Sequence, residues 1–337
     1  MKTKHIIIVA LVATVFTLTS CEKVSLAGVL MAGTAVEDRV KMSYEFYQIN
    51  DIEEKLDYDL YEVKDGYTFL VGSDSHLTND TGRLEEMLKI GMDNNDLLYI
   101  HLGDIADTKV EYYINLENML RAAQYDYVNK YYQLNTETGL YYRKGMENPV
   151  GRSYESIRLP FFPVVGNHDL THNGWALWCN IFGSSFYEFD IQVGVDGKGK
   201  GIYDHFIFLD TASGTLGKTQ VDLIEQGVLD GDEAYRHTFV FSHTNIFRPR
   251  LMEFSSTFAR EETYFLLNQF EKWHASIVFC GHVHEWDERT YNHVNYITLD
   301  AMSERNSPKA GDYLLRVHVS KDGDLSWKKV HMNYVAK

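Results

Sequence analysis

Proline and cysteine are scarce in this chain, which contains five prolines and three cysteines in 337 residues. Because prolines are few and no low-complexity tract or internal repeat is present, we expect no long linker between domains. Basic residues are also few, 32 against 48 acidic ones, so the formal net charge is -16. An acidic surface repels polyanions, and nucleic acid is not expected as a main partner. An anionic ligand would need local positive charge, for which metal ions bound by some of the 14 histidines are the obvious source.

The amino-terminal segment is predicted to be a signal peptide. Two lysines within the first four residues precede an uncharged run, Ile6–Leu18, which is too short to span a bilayer comfortably. The run ends in Leu18-Thr19-Ser20-Cys21, which resembles the bacterial lipobox. The resemblance implies that residues 1–20 are a lipoprotein signal peptide and that the Cys21 thiol carries the lipid. An ordinary signal peptide or a signal anchor is the alternative.

A lipid anchor would place the protein on a bacterial membrane after export. Since several acyl chains anchor a protein stably, membrane contact through Cys21 is expected. By a rule known for some Gram-negative bacteria, Glu22 in place of Asp favours the outer membrane, with the periplasmic or surface side left open. An exported chain could pair Cys179 with Cys280. However, Cys280 lies in an apolar run, which favours a buried thiol.

Residues 21–65 are predicted to be a tether and amino-terminal extension, with a small β extension between Ser43 and Glu62. One domain is predicted from residue 66 to 337, and 45% hydrophobic residues suffice for its core. Short apolar runs bounded by glycine or polar residues predict strands buried on both faces. These runs are Tyr67–Val71, Leu97–Leu102, Phe161–Val165, Phe239–Phe241 and Ile277–Cys280. A helical spacing over 82–93 separates the first two, and this alternation indicates a layered α/β architecture.

Each of these five runs is followed directly by residues of the types that bind metals. The segments are Asp74-Ser75-His76, Gly103-Asp104, Gly166-Asn167-His168-Asp169, Ser242-His243 and Gly281-His282-Val283-His284. Because ligand sites in α/β sheets form beyond the carboxyl ends of strands, we expect these side chains to share one edge. Alternate residues of an extended segment face the same side, so both imidazoles of the last segment should point together. Such oxygen and nitrogen donors suit divalent transition metals.

The ordered set D-x-H, G-D, G-N-H-D, H and G-H-x-H, which covers residues 74–284, resembles the calcineurin-like metallophosphoesterase family. The resemblance implies a four-layer αββα sandwich of two mixed sheets flanked by helices. It also implies two divalent metal ions, such as Mn, Fe or Zn, and hydrolysis of a small-molecule phosphate ester by a hydroxide bound to them. By match, the first ion would be held by Asp74, His76 and His284, the second by Asn167, His243 and His282, and Asp104 would bridge them.

The resemblance makes His168 and Asp169 the catalytic residues. His168 would face the substrate as a general acid or as a stabiliser of the leaving oxygen. Asp169 would orient His168 or support a ligand, and a simple loop cap is the alternative for Asp169. Asp107 would support the ligands or cap the next helix. Since the purple acid phosphatase branch has Tyr at that position, an iron-tyrosinate site is not expected.

Several further residues could contact the substrate. Arg248 and Arg250 could bind phosphate oxygens, although a solvated loop is the alternative, and His172 could line the substrate side. Residues 105–160 are predicted to be a long tyrosine-rich insertion with a helix over 111–132. Its tyrosines would either pack on the surface or form a lid in which Arg143 or Arg152 contacts the organic part of the substrate.

A phosphomonoesterase is the predicted function, with two alternatives. The first is a phosphodiesterase that acts on nucleotides, cyclic nucleotides or lipid head groups, because the motifs do not separate monoesters from diesters. The second is a surface binding lipoprotein that holds metals without turnover. The complete set of metal-type residues together with His168 argues against the second alternative.

Overall fold

The computed structural model describes residues 35–46, 65–146, 148–231, 235–247, 258–302 and 313–333. The helices are α1 Val36–Phe46, α2 Gly82–Asp93, α3 Val110–Tyr131, α4 Gly174–Phe182, α5 Gly217–Glu225 and α6 Arg260–Lys272. The strands are β1 Tyr67–Gly72, β2 Leu98–His101, β3 Tyr132–Asn135, β4 Leu140–Arg143, β5 Phe161–Pro163, β6 Tyr187–Val195, β7 Gly201–Phe208, β8 Tyr235–Phe241, β9 Ala275–Cys280, β10 Asp287–Tyr291, β11 Val294–Thr298, β12 Tyr313–Val319 and β13 Leu325–His331. Two short 3-10 helices cover Tyr154–Ser156 and His168–Asn173.

Several predicted features lie outside the described residues. They are the signal peptide, the lipidation site Cys21, and the two arginines Arg248 and Arg250. Within the described ranges, no helix combines the length and apolar character needed to cross a membrane. Cys179 and Cys280 are both described and buried, and no disulfide joins them. The buried thiol predicted for Cys280 is therefore confirmed.

Two mixed sheets form the middle of the fold. The first has the order β13-β12-β1-β2-β5, in which β1, β2 and β5 are parallel and β12 pairs antiparallel with β1. The second has the order β10-β11-β9-β8-β7-β6, with four parallel central strands and an antiparallel strand at each edge. Strands β3 and β4 form a separate hairpin.

Alternating side chains divide the core into three layers. Phe69 on β1 meets Phe239 on β8 between the sheets, with ring centroids 5.2 Å apart. The next residue, Leu70, points to the opposite face and packs against α2, α3 and α4. On the second sheet, Val240 likewise points outward into a core shared with α1, α5 and α6. Because successive strand residues alternate between faces, strands buried on both faces appear as continuous apolar runs. The predicted four-layer αββα sandwich is confirmed.

Helix α3 belongs to the helix layer outside the first sheet and is not part of a lid. It buries Tyr113, Leu116 and Tyr127 in the core outside the first sheet. The helix begins just after the Gly103-Asp104 segment and runs for 22 residues. At 1.5 Å per residue its far end lies roughly 30 Å away from that segment. The tyrosines of this region therefore serve packing, as the first of the two interpretations proposed.

The arginines assigned to the lid hypothesis lie with the far end of α3. Tyr131, the last residue of α3, donates a hydrogen bond to the carbonyl of Met92 near the end of α2. The Arg143 guanidinium lies 5.3 Å from the centre of the Tyr131 ring. Arg152 donates to the carbonyl of Ser156. These contacts hold both arginines against the scaffold, and the hypothesis that they contact substrate from a lid stays a prediction.

The amino-terminal helix α1 belongs to the folded domain. Val36 and Val40 pack into the core outside the second sheet, and the Arg39 guanidinium donates to both oxygens of Asp210 at 2.8 Å. The prediction of a tether over 21–65 is thus wrong for 36–46, and residues 43–46 are helical where a β extension was expected. Only two apolar residues four positions apart mark the buried face, which is too little to identify a helix from sequence.

A buried histidine on the outer face of the second sheet should make stability depend on pH. His205 Nδ1 lies 2.5 Å from Asp190 Oδ1, His205 Nε2 lies 2.9 Å from Glu188 Oε2, and the Tyr235 ring stacks on the imidazole at 4.2 Å. Burial lowers the pKa of His205, but the hydrogen bonds to Asp190 and Glu188 outweigh it and raise the pKa to about 9. The folded state therefore binds the proton more tightly than the unfolded state, in which a histidine has a pKa of about 6.5.

The stabilisation from His205 should be complete below pH ~6.5 and lost as pH rises through ~9. We expect the free energy of unfolding to fall by up to about 3 kcal/mol across that window, and His205→Gln to flatten the decline. Urea unfolding at a series of pH values measures this decline in the free energy of unfolding for the wild type and the variant. His318→Gln, at an exposed position on β12, is the control and should keep the wild-type slope. An unchanged slope in His205→Gln would contradict the assignment.

Candidate active site

The residues that follow five strands meet at one edge of the sandwich. The parallel strands β1, β2 and β5 of the first sheet end there, and so do β8 and β9 of the second. Two hydrogen bonds join the sheets at this edge: His243 Nδ1 faces the Leu102 carbonyl at 2.8 Å, and the His282 backbone amide donates to Asp74 Oδ2 at 3.0 Å. The predicted convergence of these segments is therefore present in the fold.

Backbone strain is concentrated in these segments. Five of the seven predicted ligands have a positive φ, namely Asp74 (51°), His76 (43°), Asp104 (53°), His282 (72°) and His284 (54°). A left-handed backbone costs a residue with a side chain about 1–2 kcal/mol, and such strain clusters at functional sites. Backbone hydrogen bonds hold the turns, for example from the His76 amide to the Asp104 carbonyl at 2.9 Å.

A first group of donor atoms comes from both sheets. His76 Nε2 and His284 Nε2 are 3.2 Å apart, and His284 Nε2 lies 3.2 Å from Asp74 Oδ1. Asp104 Oδ2 is 3.8 Å from His76 Nε2. All four donor atoms lie within 4.8 Å of one another. Ligands about 2.0–2.2 Å from a shared ion would be separated by roughly 3–3.6 Å, so these residues fit a metal ion.

A second group lies on the other side of Asp104. His243 Nε2 is 2.9 Å from Asn167 Oδ1, 3.2 Å from His282 Nδ1 and 3.5 Å from Asp104 Oδ1. Because His243 Nδ1 faces a carbonyl and carries the proton, its Nε2 lone pair points into the group. Asp104 thus offers one carboxylate oxygen to each group, as a bridging ligand can. The structure brings all seven predicted ligands together.

The electrostatics of the two groups also suit cations. Burial, with help from Asp74 and Asp169, raises the pKa of Asp104 well above its usual value. Burial would raise the pKa of Asp74 too, but hydrogen bonding to His284 and the nearby His243 hold it well below its usual value. Burial lowers the pKa of His243 to about 3, so its imidazole is neutral near pH 7 and its lone pair is available. Divalent ions would offset the negative charge of these closely spaced carboxylates.

His168 lies next to both groups but is not one of the seven predicted ligands. Its backbone amide donates to Asp104 Oδ1 at 2.7 Å, and its carbonyl accepts from Thr108 Oγ1 at 2.6 Å. The imidazole packs edge-on against His76, with ring centroids 4.6 Å apart, and keeps access to solvent. Partial burial and the neighbouring His76 lower the pKa of His168 to about 4. The backbone is fixed to the bridging carboxylate while the side chain can meet a ligand.

Asp169 is fully buried beneath the loops, and its predicted role of orienting His168 or supporting a ligand stays a prediction. Its Oδ1 accepts from the Ile105 amide at 3.0 Å and the Tyr113 hydroxyl at 3.2 Å, and its Oδ2 accepts from the Gly166 amide at 2.9 Å. Burial raises the pKa of Asp169 to about 6 against these hydrogen bonds. Because no surface of Asp169 is exposed, it cannot contact a substrate. It joins the loop after β2 to the loop after β5.

Asp107 and His172 lie on the rim of the site. Asp107 Oδ1 is 3.8 Å from His76 Nδ1, and Asp107 groups with His76 and His168. Since Lys109 is the N-cap of α3, Asp107 does not cap that helix, and its place behind His76 fits the other predicted role. His172 is exposed with a φ of 51°, four residues beyond His168.

Sequence reasoning missed the residues that support the ligands from behind. Thr211 Oγ1 accepts from the backbone amides of His243 and Thr244, both at 3.0 Å. Tyr113 and Thr108 support the Asn167–Asp169 segment as donors, to the Asp169 carboxylate and the His168 carbonyl. Their signal in the sequence is weak, because each acts on a residue far away in the chain and none belongs to a motif.

This sandwich, with two donor groups that share a carboxylate at the strand ends, defines a metal-dependent hydrolase. The chain belongs to the calcineurin-like phosphoesterase family, whose model matches residues 67–286. It is thus a metallophosphoesterase with a candidate metal-binding cluster of Asp and His residues. No curated protein sequence matches the chain significantly.

Several solved structures match the chain at low sequence identity. GAP50, the anchor in the inner membrane complex of Plasmodium, is 14% identical with a TM-score of 0.49, over 80% of this chain and 90% of that one. A dimetal phosphatase from Danio rerio is 10% identical with a TM-score of 0.45, and the match covers 79% of this chain and 99% of that one. An archaeal phosphodiesterase is 10% identical with a TM-score of 0.32, and the match covers 78% of this chain and 99% of that one. At these identities the similarity concerns the fold alone.

Proposed function

We propose that this hydrolase is a phosphomonoesterase that works with two divalent metal ions such as Mn, Fe or Zn. The observation that carries the proposal is the position of Asp104, with one carboxylate oxygen directed to each donor group. The proposed ligands of the first ion are Asp74, His76 and His284, those of the second are Asn167, His243 and His282, and Asp104 belongs to both. Two ions so placed would neutralise phosphoryl oxygens and supply an activated water.

The charge of the donor set suits an anionic phosphoester. Of the seven donors only Asp74 and Asp104 are carboxylates, and Asn167 contributes a neutral oxygen. Two divalent ions on this set leave a net charge of about +2. With a neutral water in the site, a phosphomonoester dianion would balance that charge, and with a hydroxide in the site the remaining charge of about +1 would match a diester monoanion.

The test compares p-nitrophenyl phosphate with bis-p-nitrophenyl phosphate on protein reconstituted with each metal. We expect kcat/KM for the monoester to exceed that for the diester by about tenfold or more, which corresponds to ~1.4 kcal/mol in transition-state stabilisation. The opposite order would favour a phosphodiesterase. Metal-loaded protein that hydrolyses neither ester would favour the binding lipoprotein.

His168 should act on the leaving group and not on metal binding. Its imidazole is held beside the ligands on the solvent side, where it can donate a hydrogen bond to the leaving oxygen. We expect His168→Ala to retain the metal content and to lose about 10²–10⁴-fold in kcat, most for poor leaving groups. Phenyl phosphate should therefore lose more than p-nitrophenyl phosphate. Equal losses for both esters, or an unchanged rate, would disprove this role.

Export and lipid anchoring at Cys21 are also proposed, with the outer membrane as the site. The support is the short apolar run that ends in the lipobox-like Leu18-Thr19-Ser20-Cys21. Cys21→Ser should move the protein from the membrane fraction to the soluble fraction of a bacterial host, as measured by fractionation and immunoblot. Protein that stays in the membrane fraction would favour a signal anchor.

A further inference from the structure

A lysine and two aromatic side chains form a surface cluster near the candidate active site, called here the Lys329 cluster. The ammonium of Lys329, on β13, lies 3.9 Å from the centre of the Trp286 ring and 5.6 Å from the centre of the Tyr313 ring. An ammonium over the face of an aromatic ring is attracted by the ring quadrupole. The two rings therefore hold the end of a flexible side chain in one place.

The chain connects the Lys329 cluster directly to the donor groups. Trp286 is two residues beyond His284, so their Cα atoms are at most about 7 Å apart. Tyr313 begins β12, where the observed pairing of Leu315 with Val71 places it two residues further, beside Ser73. Asp74 comes next in the chain. Trp286 and Tyr313 therefore both lie close, in the chain or along the sheet, to residues of the first donor group.

The electrostatic surroundings leave the Lys329 charge available to a ligand. Among the described residues, no carboxylate lies within ion-pair distance of its ammonium. Burial raises the pKa of Asp300, while His284 and Lys329 each lower it, so Asp300 lies within electrostatic reach of both. In a chain of net charge -16, a fixed cation beside the donor groups is unusual. Trp286 itself packs against the core between the sheets, which makes the platform rigid.

We propose that the Lys329 cluster binds a second anionic group of the substrate, carried by its organic part. This proposal rests on the proposed function, because it assumes that the scissile phosphate lies at the two donor groups. The substrate class is a phosphoester with a carboxylate or a further phosphate roughly 5–10 Å from the scissile phosphorus, a span of two to three residue lengths.

Binding of non-hydrolysable phosphonates tests the proposal without any need for turnover. Metal-loaded protein is titrated in a calorimeter with ω-carboxyalkylphosphonates of two to six methylenes, and with alkylphosphonates of the same lengths. For at least one length, the wild type should bind the carboxylated ligand about three- to tenfold more tightly, as expected for one additional charge pair. Raising the salt concentration should reduce this preference.

Three variants assign the preference to the proposed residue. Lys329→Met should bind both ligands of each length equally, and Lys329→Arg should keep the preference. Lys328→Met is the matched control, since Lys328 is the neighbouring exposed residue on the opposite face of β13, and it should behave as the wild type. A wild type without preference at every length, or a preference that survives in Lys329→Met, would overturn the proposal.

The result of the phosphonate test can be distinguished from the result of the hydrolysis test of the proposed function. Failure to hydrolyse p-nitrophenyl phosphate would overturn the phosphomonoesterase, yet the phosphonate preference would still be measured. Normal hydrolysis without any carboxylate preference would overturn the Lys329 cluster alone. A wild type that binds no phosphonate at all would overturn both.

Discussion

Replacing Asp104 by Asn should nearly abolish hydrolysis of p-nitrophenyl phosphate and lower the bound metal. The Asp104 carboxylate lies 3.8 Å from His76 Nε2 through one oxygen and 3.5 Å from His243 Nε2 through the other. An Asn side chain offers a single oxygen and can serve only one donor group. Loss of one preorganised charged group typically costs about 10²–10³-fold in kcat, and here it affects both proposed ions. We therefore expect a loss at the upper end of that range or beyond.

The measurement pairs steady-state kinetics with metal analysis of the purified protein. Asp93→Asn is the matched control, because Asp93 is exposed at the end of α2 and lies outside both donor groups. That control should keep its metal content. The hydrogen bond from the His168 amide to Asp104 can still be accepted by the Asn oxygen, so the loop should stay folded. Asp104→Asn with full metal and full rate would remove the basis of the dinuclear proposal.

The middle of the fold was predictable from sequence because its strands are buried on both faces. Tyr67–Val71 is apolar except for Thr68, and Ile277–Cys280 is apolar throughout; in the structure their alternate side chains enter different cores. The placement of the metal-type residues followed from the same observation, since each comes directly after such a run. The helix predicted over 111–132 is confirmed as α3 within one residue at each end.

What could not be predicted depends on contacts between distant parts of the chain. The role of Asp169 depends on the Tyr113 hydroxyl, 56 residues earlier, and on backbone amides that carry no sequence signal. Helix α1 has only Val36 and Val40 in the core, and its main fixed point is the Arg39 ion pair with Asp210, 171 residues away. The tyrosines of α3 indicated an apolar face of the helix, but they did not indicate which sheet that face would pack against.

Arg39→Met should cause a large loss of stability. The Arg39 and Asp210 side chains are 1% and 0% exposed, and the guanidinium binds both carboxylate oxygens. Removal of one partner from a buried ion pair leaves an uncompensated charge and typically costs about 3–5 kcal/mol. Asp210 would keep only weaker partners, such as the Ser185 hydroxyl at 2.7 Å. Urea unfolding at pH 7 should show a decrease of that size in the free energy of unfolding.

Two further variants separate the buried charge from the loss of packing. Lys41→Met, on the exposed side of α1, removes a 3.9 Å ion pair with Glu45 and should change stability by less than about 1 kcal/mol. Adding Asp210→Asn to Arg39→Met should recover part of the loss, because the remaining group is no longer charged. Because Asp210 precedes Thr211, which accepts the His243 amide, Arg39→Met should also weaken metal retention, and the double variant should restore some of it. If Arg39→Met were no more destabilising than Lys41→Met, α1 would not be part of the structure that holds the second donor group.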